Sequence, residues 1–439
     1  MTASTVDVDT AIARVSSEID GALVRSVLDL LVSRPSPPGD ERTLAEALAD
    51  AGRREHPEIS WGVDLLDERS ANLFARSAHG TRAPELAIYG HLDTSLTGDA
   101  ARDAGITGAT SDPPALRFDT ATRTLRGFGI GVAKAPSAAG LVAFLSAARA
   151  LRALGVPHRL TLLLAAGGTH RAAPAETPSA ATTETSARFC RGVEHALASG
   201  WTPDAVLNVK AGPPGVLHEE PAAAYLRVRV RRPWNAALAR RVVAPDGGLA
   251  RSAGAIVDAI ESWRTAYLAR HGARGQLAAE IAIGALRAGL PEKPDLLPGL
   301  LEVFVYAVLL PGEDPELAAR DLADFLAPQI ARLPGAPRVG VDVYASAPGG
   351  VADPASDIVR LATEAWTRNV GACAPVRDWS GATDGAIFLA RGIPTARVGV
   401  RVTRDDDDPR IEIVSQDELV SAARAYAEVA LRWCAGRAA

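Results

Sequence analysis

An apolar segment that ends in a His-x-Asp pair constrains the fold of this chain more than any other feature. The segment is Leu86-Ala-Ile-Tyr-Gly-His91-Leu-Asp93-Thr94, and its apolar run predicts a buried strand. Side chains two residues apart on an extended chain point the same way, so Asp93 can accept a hydrogen bond from His91 and fix its tautomer. A histidine held in this way can be a metal ligand or a structural group, and the pair alone leaves both roles open.

The wider pattern of apolar segments predicts an α/β fold with a mostly parallel sheet flanked by helices. Outside the middle of the chain, short apolar strands alternate with long helical patterns. The predicted strands cover residues 85–89, 160–164, 205–209 and 395–400.

The middle of the chain, residues 222–348, has a different order of elements: strand, helix, two strands, helix and strand. This order predicts an inserted α+β domain in which a small sheet carries two helices on one face. The insertion divides the remainder, so we predict a discontinuous α/β domain from residues 1–221 and 349–439. A chain of 439 residues, of which 47% are hydrophobic, is long enough to bury both cores.

The composition excludes several classes of partner. A net charge of -5 leaves no basic surface for nucleic acid or anionic membranes. The cysteines, Cys190, Cys373 and Cys434, are odd in number and widely spaced, which argues against a disulfide framework, and we expect Cys190 and Cys434 to be core or surface thiols on helices. The first residues lack a signal-peptide pattern and no apolar run of about 18 residues occurs, so we expect a soluble cytoplasmic protein.

Further motifs follow one another along the chain. They are Ser36-Pro-Pro-Gly-Asp40-Glu41, Leu125-Arg-Gly-Phe-Gly-Ile-Gly-Val132-Ala133-Lys134, Gly381-Ala-Thr-Asp384-Gly, Ile393-Pro-Thr-Ala-Arg397-Val-Gly and Glu412-Ile-Val-Ser-Gln-Asp-Glu-Leu419. Together with the His91 motif, their order resembles the di-zinc metallopeptidase family of aminoacylases, zinc carboxypeptidases and succinyl-diaminopimelate desuccinylases. The resemblance covers nearly the whole chain. It implies a zinc-peptidase-like catalytic domain and a lid, the inserted domain, through which two chains form a homodimer.

The resemblance also implies a metal site, but most of its ligands are missing. Members of the family hold two zinc ions with a first histidine, a bridging aspartate, a Glu-Glu pair, a further carboxylate and a distal histidine. His91 matches the first histidine. The other positions fall at Val132, within Gly167-Gly168-Thr169-His170, at Lys210 and at Asp408.

Zinc needs three or four deprotonated nitrogen, oxygen or sulfur ligands, and these positions do not reach that number. Lys210 would also bring a positive charge to a place where the family has a negative one. We therefore expect that the di-zinc site is absent and that the chain uses no metal or other cofactor. A single-metal site formed by His91, Asp408 and His170 stays open as an alternative.

Lysine is rare in this chain: of its 47 Lys and Arg residues, three are lysines, namely Lys134, Lys210 and Lys293. Lys134 corresponds to a lysine of the family's own turn. Lys210 has two interpretations. It either occupies the vacated zinc position and pairs with Asp93 or Asp384, or it acts in catalysis as an ammonium group or an amine nucleophile.

These features predict a metal-independent enzyme that acts on an amide, imine or ester carbon of an amino-acid-derived small molecule, for instance by condensation or cyclisation in specialised metabolism. His91, positioned by Asp93, would act as acid or base. Lys210 and Lys134 would supply positive charge. The residues expected to contact the substrate are Asp384, His170 and Asp408. Asp384 has a second interpretation, as the cap of the helix that follows it.

Two other functions stay open. One is a catalytically dead pseudo-peptidase that serves as a binding or scaffold dimer. The other is an ordinary peptidase or aminoacylase hydrolase with an unusual single-metal site.

Overall fold

The computed structural model describes residues 8–80, 83–174, 189–233 and 248–436. In this part of the chain, two large sheets are flanked by helices, and each sheet contributes to its own hydrophobic core. The α/β fold predicted from the sequence is confirmed.

The larger sheet is mostly parallel, as predicted. Its strands, in spatial order, are β1 (Ser60–Leu65), β2 (Ala71–His79), β6 (His158–Ala165), β3 (Glu85–His91), β7 (Ala205–Leu217) and β16 (Thr395–Gly399). β3 pairs in parallel with β6 and β7, and β16 pairs in parallel with β7, whereas β1 and β2 form an antiparallel edge. β3 is buried along its whole length because helices cover both faces of a sheet of this kind.

The helix α5 (Ala135–Ala153) lies in the core of the larger domain and packs against this sheet and against α12 (Gln416–Ala435). Its small residues permit a close approach: a Cβ on Gly140 would lie 2.8 Å from Val209. The segment Ile130–Ala153 is apolar and long enough to cross a membrane, but 89% of its most apolar stretch is buried inside the protein. Its apolar composition is therefore explained by its place in the protein core.

The smaller sheet is antiparallel. In spatial order it contains β12 (Glu280–Ala288), β13 (Leu300–Leu309), β9 (Ala222–Arg231) and β14 (Arg338–Ala347). The helices α8 (Ala253–His271) and α9 (Pro315–Ile330) share a core with one face, which confirms the predicted order of elements. The other face carries Tyr225, Tyr306 and Tyr344, which pack in one cluster with Tyr89 of the larger sheet. The domain boundaries at residues 222 and 348 stay a prediction.

A third sheet, also antiparallel, packs beside a π-helix, Ile130–Lys134, that leads into α5. Its strands, in spatial order, are β17 (Thr403–Arg404), β18 (Ile411–Ser415), β5 (Thr124–Phe128) and β4 (Arg117–Asp119). Two short pairs join β8 (Glu219–Glu220) to β15 (Gly350–Val351) and β10 (Ala273–Arg274) to β11 (Leu277–Ala278). The other helices are α1 (Val8–Glu18), α2 (Gly21–Val32), α3 (Arg42–Glu55), α4 (Ala100–Thr107), α6 (Arg191–Ala198), α7 (Gly248–Arg251), α10 (Asp357–Asn369) and α11 (Gly385–Ala390).

Candidate functional site

Four parallel strands of the larger sheet end at one edge, and polar residues gather there. His91 is the last residue of β3, a turn over residues 167–170 follows β6, Lys210 lies on β7, and Arg397 lies on β16. In α/β sheets, ligands bind at the carboxyl ends of the strands. This edge is therefore the candidate site.

Asp93 connects His91 to the turn after β6. Its Oδ1 lies 3.0 Å from His91 Nδ1 and accepts the Gly168 amide at 2.8 Å, and its Oδ2 accepts the Thr169 amide at 2.7 Å. Burial alone would raise the pKa of the Asp93 carboxyl, but His91 and the contacts with Thr169 lower it to about 2. The predicted His91–Asp93 pair is thus formed, and its ionised carboxylate holds the turn in place.

Glu41 holds the same turn from the other side. Its Oε1 accepts the Gly167 amide at 3.0 Å and the Gly39 amide at 2.8 Å, and its Oε2 accepts the Ser70 hydroxyl at 2.7 Å. Burial, and then the charge of Asp93, raise the pKa of Glu41 to about 7 in spite of these hydrogen bonds. Two carboxyl groups therefore bind three successive amides, those of residues 167, 168 and 169.

The turn has no room for the Glu-Glu pair that the resemblance places in it. Gly167 has a φ of +62°, which disfavours a side chain, and a Cβ on Gly168 would lie 2.5 Å from the Cβ and Cγ of His91. The backbone of Gly168 instead packs on the imidazole of His91, which is only 1% exposed. His91 consequently does not belong to the lining of the cleft described below.

The donor set does not fit the two zinc ions of the family. Val132 and the glycines of the turn offer no side-chain ligand, and Lys210 offers a cation. His91 Nε2 is buried and has no hydrogen-bond partner among the described residues, so it is the one donor at the positions that the resemblance gives to the two zinc ions. One donor beside an ammonium group cannot hold a pair of divalent cations.

Asp408, the residue at the distal-histidine position, does not join His91. Its carboxylate accepts Arg410 Nε at 2.9 Å and Arg410 Nη2 at 2.8 Å, and these contacts lower the pKa of Asp408. It lines a separate depression that also contains Phe128. The single-metal alternative with His91, Asp408 and His170 therefore lacks support from the geometry. Asp408 is also not among the residues that line the cleft between the two large sheets, which is described below.

Lys134 is also placed away from the cleft. Its Nζ donates to the carbonyl of Leu31 at 2.9 Å and lies 3.4 Å from the carbonyl of Arg34. Burial lowers the pKa of Lys134 to about 8. The ammonium thus ties the π-helix to the end of α2, and the structure gives it no contact with the candidate substrate cleft.

The main cleft lies between the edge of the larger sheet and the tyrosine face of the smaller sheet. Its volume is about 650 Å³, a size suited to a small molecule. It combines three basic residues with aromatic walls. The polar and aromatic residues that line it are Lys210, Arg397, Arg404, Glu412, Thr169, His170, Thr383, Tyr225, Tyr306 and Trp379.

Arg397 is a fixed, buried cation at the floor of the cleft. Its guanidinium carbon lies 4.5 Å from the centre of the Trp379 ring, and its Nη2 donates to the carbonyl of Ala211. The Nε atom is buried and has no hydrogen-bond partner among the described residues. A cation held in this way, with a donor to spare, is suited to bind a carboxylate.

Lys210 stands where the family has a carboxylate ligand, and it faces the cleft. The side chain is 7% exposed, and its one hydrogen bond within the described residues goes to the carbonyl of Gly168 at 3.4 Å. No ion pair joins it to Asp93 or Asp384 in the same part of the chain. The structure therefore gives Lys210 no close ion pair of this kind, although its positive charge opposes the rise in the pKa of the Asp384 carboxyl, and its ammonium group has donors available for a ligand.

A second polar cluster lies directly behind the cleft wall, and it unites His170, Cys190 and Asp384. Cys190 Sγ lies 3.8 Å from His170 Nε2, and Tyr89 donates its hydroxyl to Asp384 Oδ2. Cys190 precedes α6 with a φ of +58°, an unfavourable backbone conformation for a residue with a Cβ. The alternative in which Asp384 caps α11 is wrong, because its side chain makes no capping hydrogen bond.

Burial disfavours the charged forms of the three groups of this cluster. It raises the pKa of the Cys190 thiol and of the Asp384 carboxyl, and it lowers the pKa of His170 to about 3, helped by the charge of Lys210. The sequence had predicted a substrate-contacting role for His170 and Asp384 but had predicted only a packing role for Cys190. No spacing motif joins Cys190 to the other two, because tertiary folding alone brings them together.

Comparison with solved structures finds the same fold over nearly the whole chain. Aminopeptidase PepT from Bacillus cereus is 16% identical, with a TM-score of 0.63 and coverage of 94% of this chain and 99% of its own. An M20 family metallo-carboxypeptidase from Sulfolobus solfataricus is 13% identical, with a TM-score of 0.64 and coverage of 93% and 98%. Human carnosine dipeptidase 1 is 12% identical, with a TM-score of 0.67 and coverage of 97% and 98%.

No protein-family profile and no curated protein matches the sequence. At these identities the structural similarity establishes the fold. The chain therefore has the fold of the M20 metallopeptidases, and the fold implied by the motif resemblance is confirmed.

Proposed function

We propose that this chain is an enzyme that acts on an amide, imine or ester carbon of an amino-acid-derived small molecule without the binuclear zinc centre of the M20 fold. The observation that carries the proposal is the Lys210 ammonium, which lines the cleft and makes a single long hydrogen bond within the described residues, to the carbonyl of Gly168. A buried ammonium with free donors is stabilised when a carbonyl or carboxylate oxygen of a ligand approaches it.

Substrate binding relies on the other cations of the cleft. Arg397 and Arg404 line it together with Lys210, whereas Glu412 is the acidic residue of the lining, and burial raises its pKa. This excess of positive charge favours an anionic ligand, and the aromatic walls favour an apolar acyl or side-chain group. An N-acyl amino acid or a related carboxylate has both features.

In this proposal Lys210 interacts with the reacting group. As an ammonium it would donate to the carbonyl oxygen and stabilise the negative charge that develops there. After losing its proton it would attack the carbon of an imine substrate, release the substrate amine and leave an imine on Lys210. His170 lies on the cleft wall, and because burial lowers its pKa to about 3, its neutral imidazole would hydrogen-bond to the substrate rather than take up a proton. Because a zinc-bound hydroxide is the hydrolytic nucleophile of such sites, its loss favours condensation or cyclisation, as in specialised metabolism, over hydrolysis.

His91 and Asp93 act here as positioning residues. Asp93 holds the amides of Gly168 and Thr169, and the Gly168 carbonyl is the acceptor of Lys210. The His91–Asp93 pair therefore holds the turn in place, and the turn in its place positions the ammonium group of Lys210. This role replaces the acid or base role predicted for His91, since the turn covers the imidazole.

A homodimer formed through the inserted domain and a cytoplasmic location are further parts of the proposal. The dimer is supported by β12, an edge strand of the smaller sheet that exposes Leu286. The location is supported by the three cysteines, which are all free thiols, as is usual in a reducing compartment.

The test is turnover of a panel of N-acyl amino acids, their esters and their amine-coupled products by wild type, Lys210→Met and Lys210→Arg. We expect Lys210→Met to lose about 100-fold or more in turnover while it still binds the carboxylate through Arg397. Lys293→Met, which alters an exposed lysine paired with Asp295, is the matched control and should be unaffected. Unchanged turnover in both folded Lys210 variants would refute the proposal. Borohydride trapping followed by mass measurement identifies an imine on Lys210.

A pseudo-peptidase is the second candidate, and the covered His91 is the observation that favours it. A binding protein of this kind would take up the same anionic ligands in the cleft but turn over no member of the panel. Binding without turnover in the wild type would therefore select it.

A further inference from the structure

The cluster behind the cleft wall has the composition of a metal site. The ligand atoms of His170, Cys190 and Asp384 all lie within 4.8 Å of one another. Donors of a tetrahedral zinc ion are roughly 3.3–3.8 Å apart, given metal–ligand distances of about 2.0–2.3 Å. The three groups therefore need to close by about an ångström to surround an ion.

We propose that His170, Cys190 and Asp384 bind one zinc ion. Imidazole, thiolate and carboxylate are the ligand types that zinc prefers, and three protein donors leave a fourth position for water or a substrate group. The site goes beyond the proposed function, because neither Cys190 nor Asp384 falls at a position that the motif resemblance gives to a zinc ligand. It replaces the expectation of a wholly metal-free chain.

One feature of the cluster points to a ligand that binds there. Asp384 is fully buried, and its Oδ1 has no hydrogen-bond partner among the described residues although Tyr89 binds the other oxygen. An unpartnered carboxylate oxygen in the interior is costly unless a cation or donor meets it. Tyr89 would then act as the outer partner that orients the carboxylate, as the partners of metal ligands commonly do.

The other two donors are also held firmly in position. The imidazole of His170 stacks on Phe189, with ring centres 4.3 Å apart and an interplanar angle of 7°. The carbonyl of His170 accepts the Tyr225 hydroxyl at 2.8 Å. The positive φ of Cys190 indicates a backbone that the surrounding structure forces into place, and such positions concentrate at functional sites.

The charges in the site balance. On binding, the ion displaces the proton of the thiol, and that of the carboxyl where it carries one, so a thiolate and a carboxylate neutralise the divalent charge. Lys210 is the cation that faces the cluster from β7, and it would meet a neutral complex. His91 also faces the cluster, but it lies outside the group of atoms within 4.8 Å. His170 lines the cleft, so the ion would lie directly behind the substrate.

The experiment is titration of the full-length, metal-stripped protein with Co²⁺, which replaces zinc and shows near-ultraviolet absorption when a thiolate binds it. We expect one Co²⁺ per chain with this absorption, its loss in Cys190→Ser, and at least tenfold weaker binding in His170→Gln and Asp384→Asn. Cys373→Ser is the control and should keep the absorption. If the wild type lacks the near-ultraviolet absorption, or if Cys190→Ser retains it, the inference is overturned.

X-ray absorption of the zinc-loaded wild type makes the test independent of variant folding. We expect one sulfur ligand at about 2.3 Å. A zinc spectrum with only nitrogen and oxygen ligands, or no stoichiometric uptake, would refute the site. Such a result would leave the Lys210-dependent turnover untouched, so the two proposals fail separately.

Discussion

The backbone of Gly168 packs so closely on His91 that a Cβ on Gly168 would lie 2.5 Å from the Cβ and Cγ of the histidine. Only glycine fits at this position. The motif resemblance predicts a carboxylate pair in this turn, whereas the backbone of the turn occupies the space above the imidazole of His91.

Gly168→Ala should therefore lower the free energy of unfolding by about 1–3 kcal/mol, because the added methyl group overpacks the core. Urea denaturation of the two proteins measures the difference. In a His91→Gly background, which removes the colliding atoms, the same substitution should cost much less. An equal cost in both backgrounds would show that His91 is not the obstacle.

Asp93→Asn should destabilise the fold by about 2–4 kcal/mol. The neutral amide cannot accept both turn amides and the His91 imidazole as the ionised carboxylate does. Asp417→Asn is the matched control, since Asp417 pairs with Arg123 at the surface, with 61% and 55% of the side chains exposed. We expect the control to change stability by less than about 1 kcal/mol in the same urea titration.

Glu41 should make stability depend on pH. Its pKa is about 7 in the folded chain, above the ordinary value of 4.5, so between these values the folded chain holds a proton that the unfolded chain has released. Stability should therefore fall by up to about 3 kcal/mol as the pH rises through this window. Glu41→Gln removes this contribution. The urea midpoints of the wild type and of Glu41→Gln at pH 5 and pH 7.5 test this dependence. If the midpoints of both proteins change equally with pH, Glu41 is not its source.

Much of the fold could be predicted because its signals are local. The apolar run that ends in His91 identifies β3, and the spacing of two residues is enough to place Asp93 beside that histidine. Likewise the element order between residues 222 and 348 identifies the smaller sheet without knowledge of any contact.

The site was less predictable, because its features depend on contacts between distant segments. Nothing local shows that Gly168 would cover His91, or that Cys190 would meet Asp384. Lys134 illustrates the opposite problem: its motif is recognisable, but the motif does not show that the side chain turns toward the Leu31 carbonyl. Lys210 was the sequence feature that indicated the cleft, because it is one of three lysines and falls at a position where the resembling family has a metal ligand.

Lys134→Met should affect stability and spare function. The Leu31 carbonyl loses its donor at 2.9 Å, which we expect to lower the free energy of unfolding by about 1–3 kcal/mol. Ligand binding and turnover per folded molecule should match the wild type, because Lys134 does not line the main cleft. A loss of turnover comparable to that of Lys210→Met would show that both lysines serve the reaction.

The exposed edge of the smaller sheet leads to a prediction about assembly. β12 is the outer strand, and Leu286 on it is 53% exposed, which is unfavourable for an edge that remains in water. If two chains pair along β12, Leu286→Asp places a charge in the apolar interface and should shift the dimer toward monomer. Light scattering coupled to size exclusion measures this shift.

Leu65→Asp is the control, because Leu65 is 49% exposed at the edge of the larger sheet. A wild type that stays monomeric at every concentration, or equal behaviour of the two variants, would place the interface elsewhere.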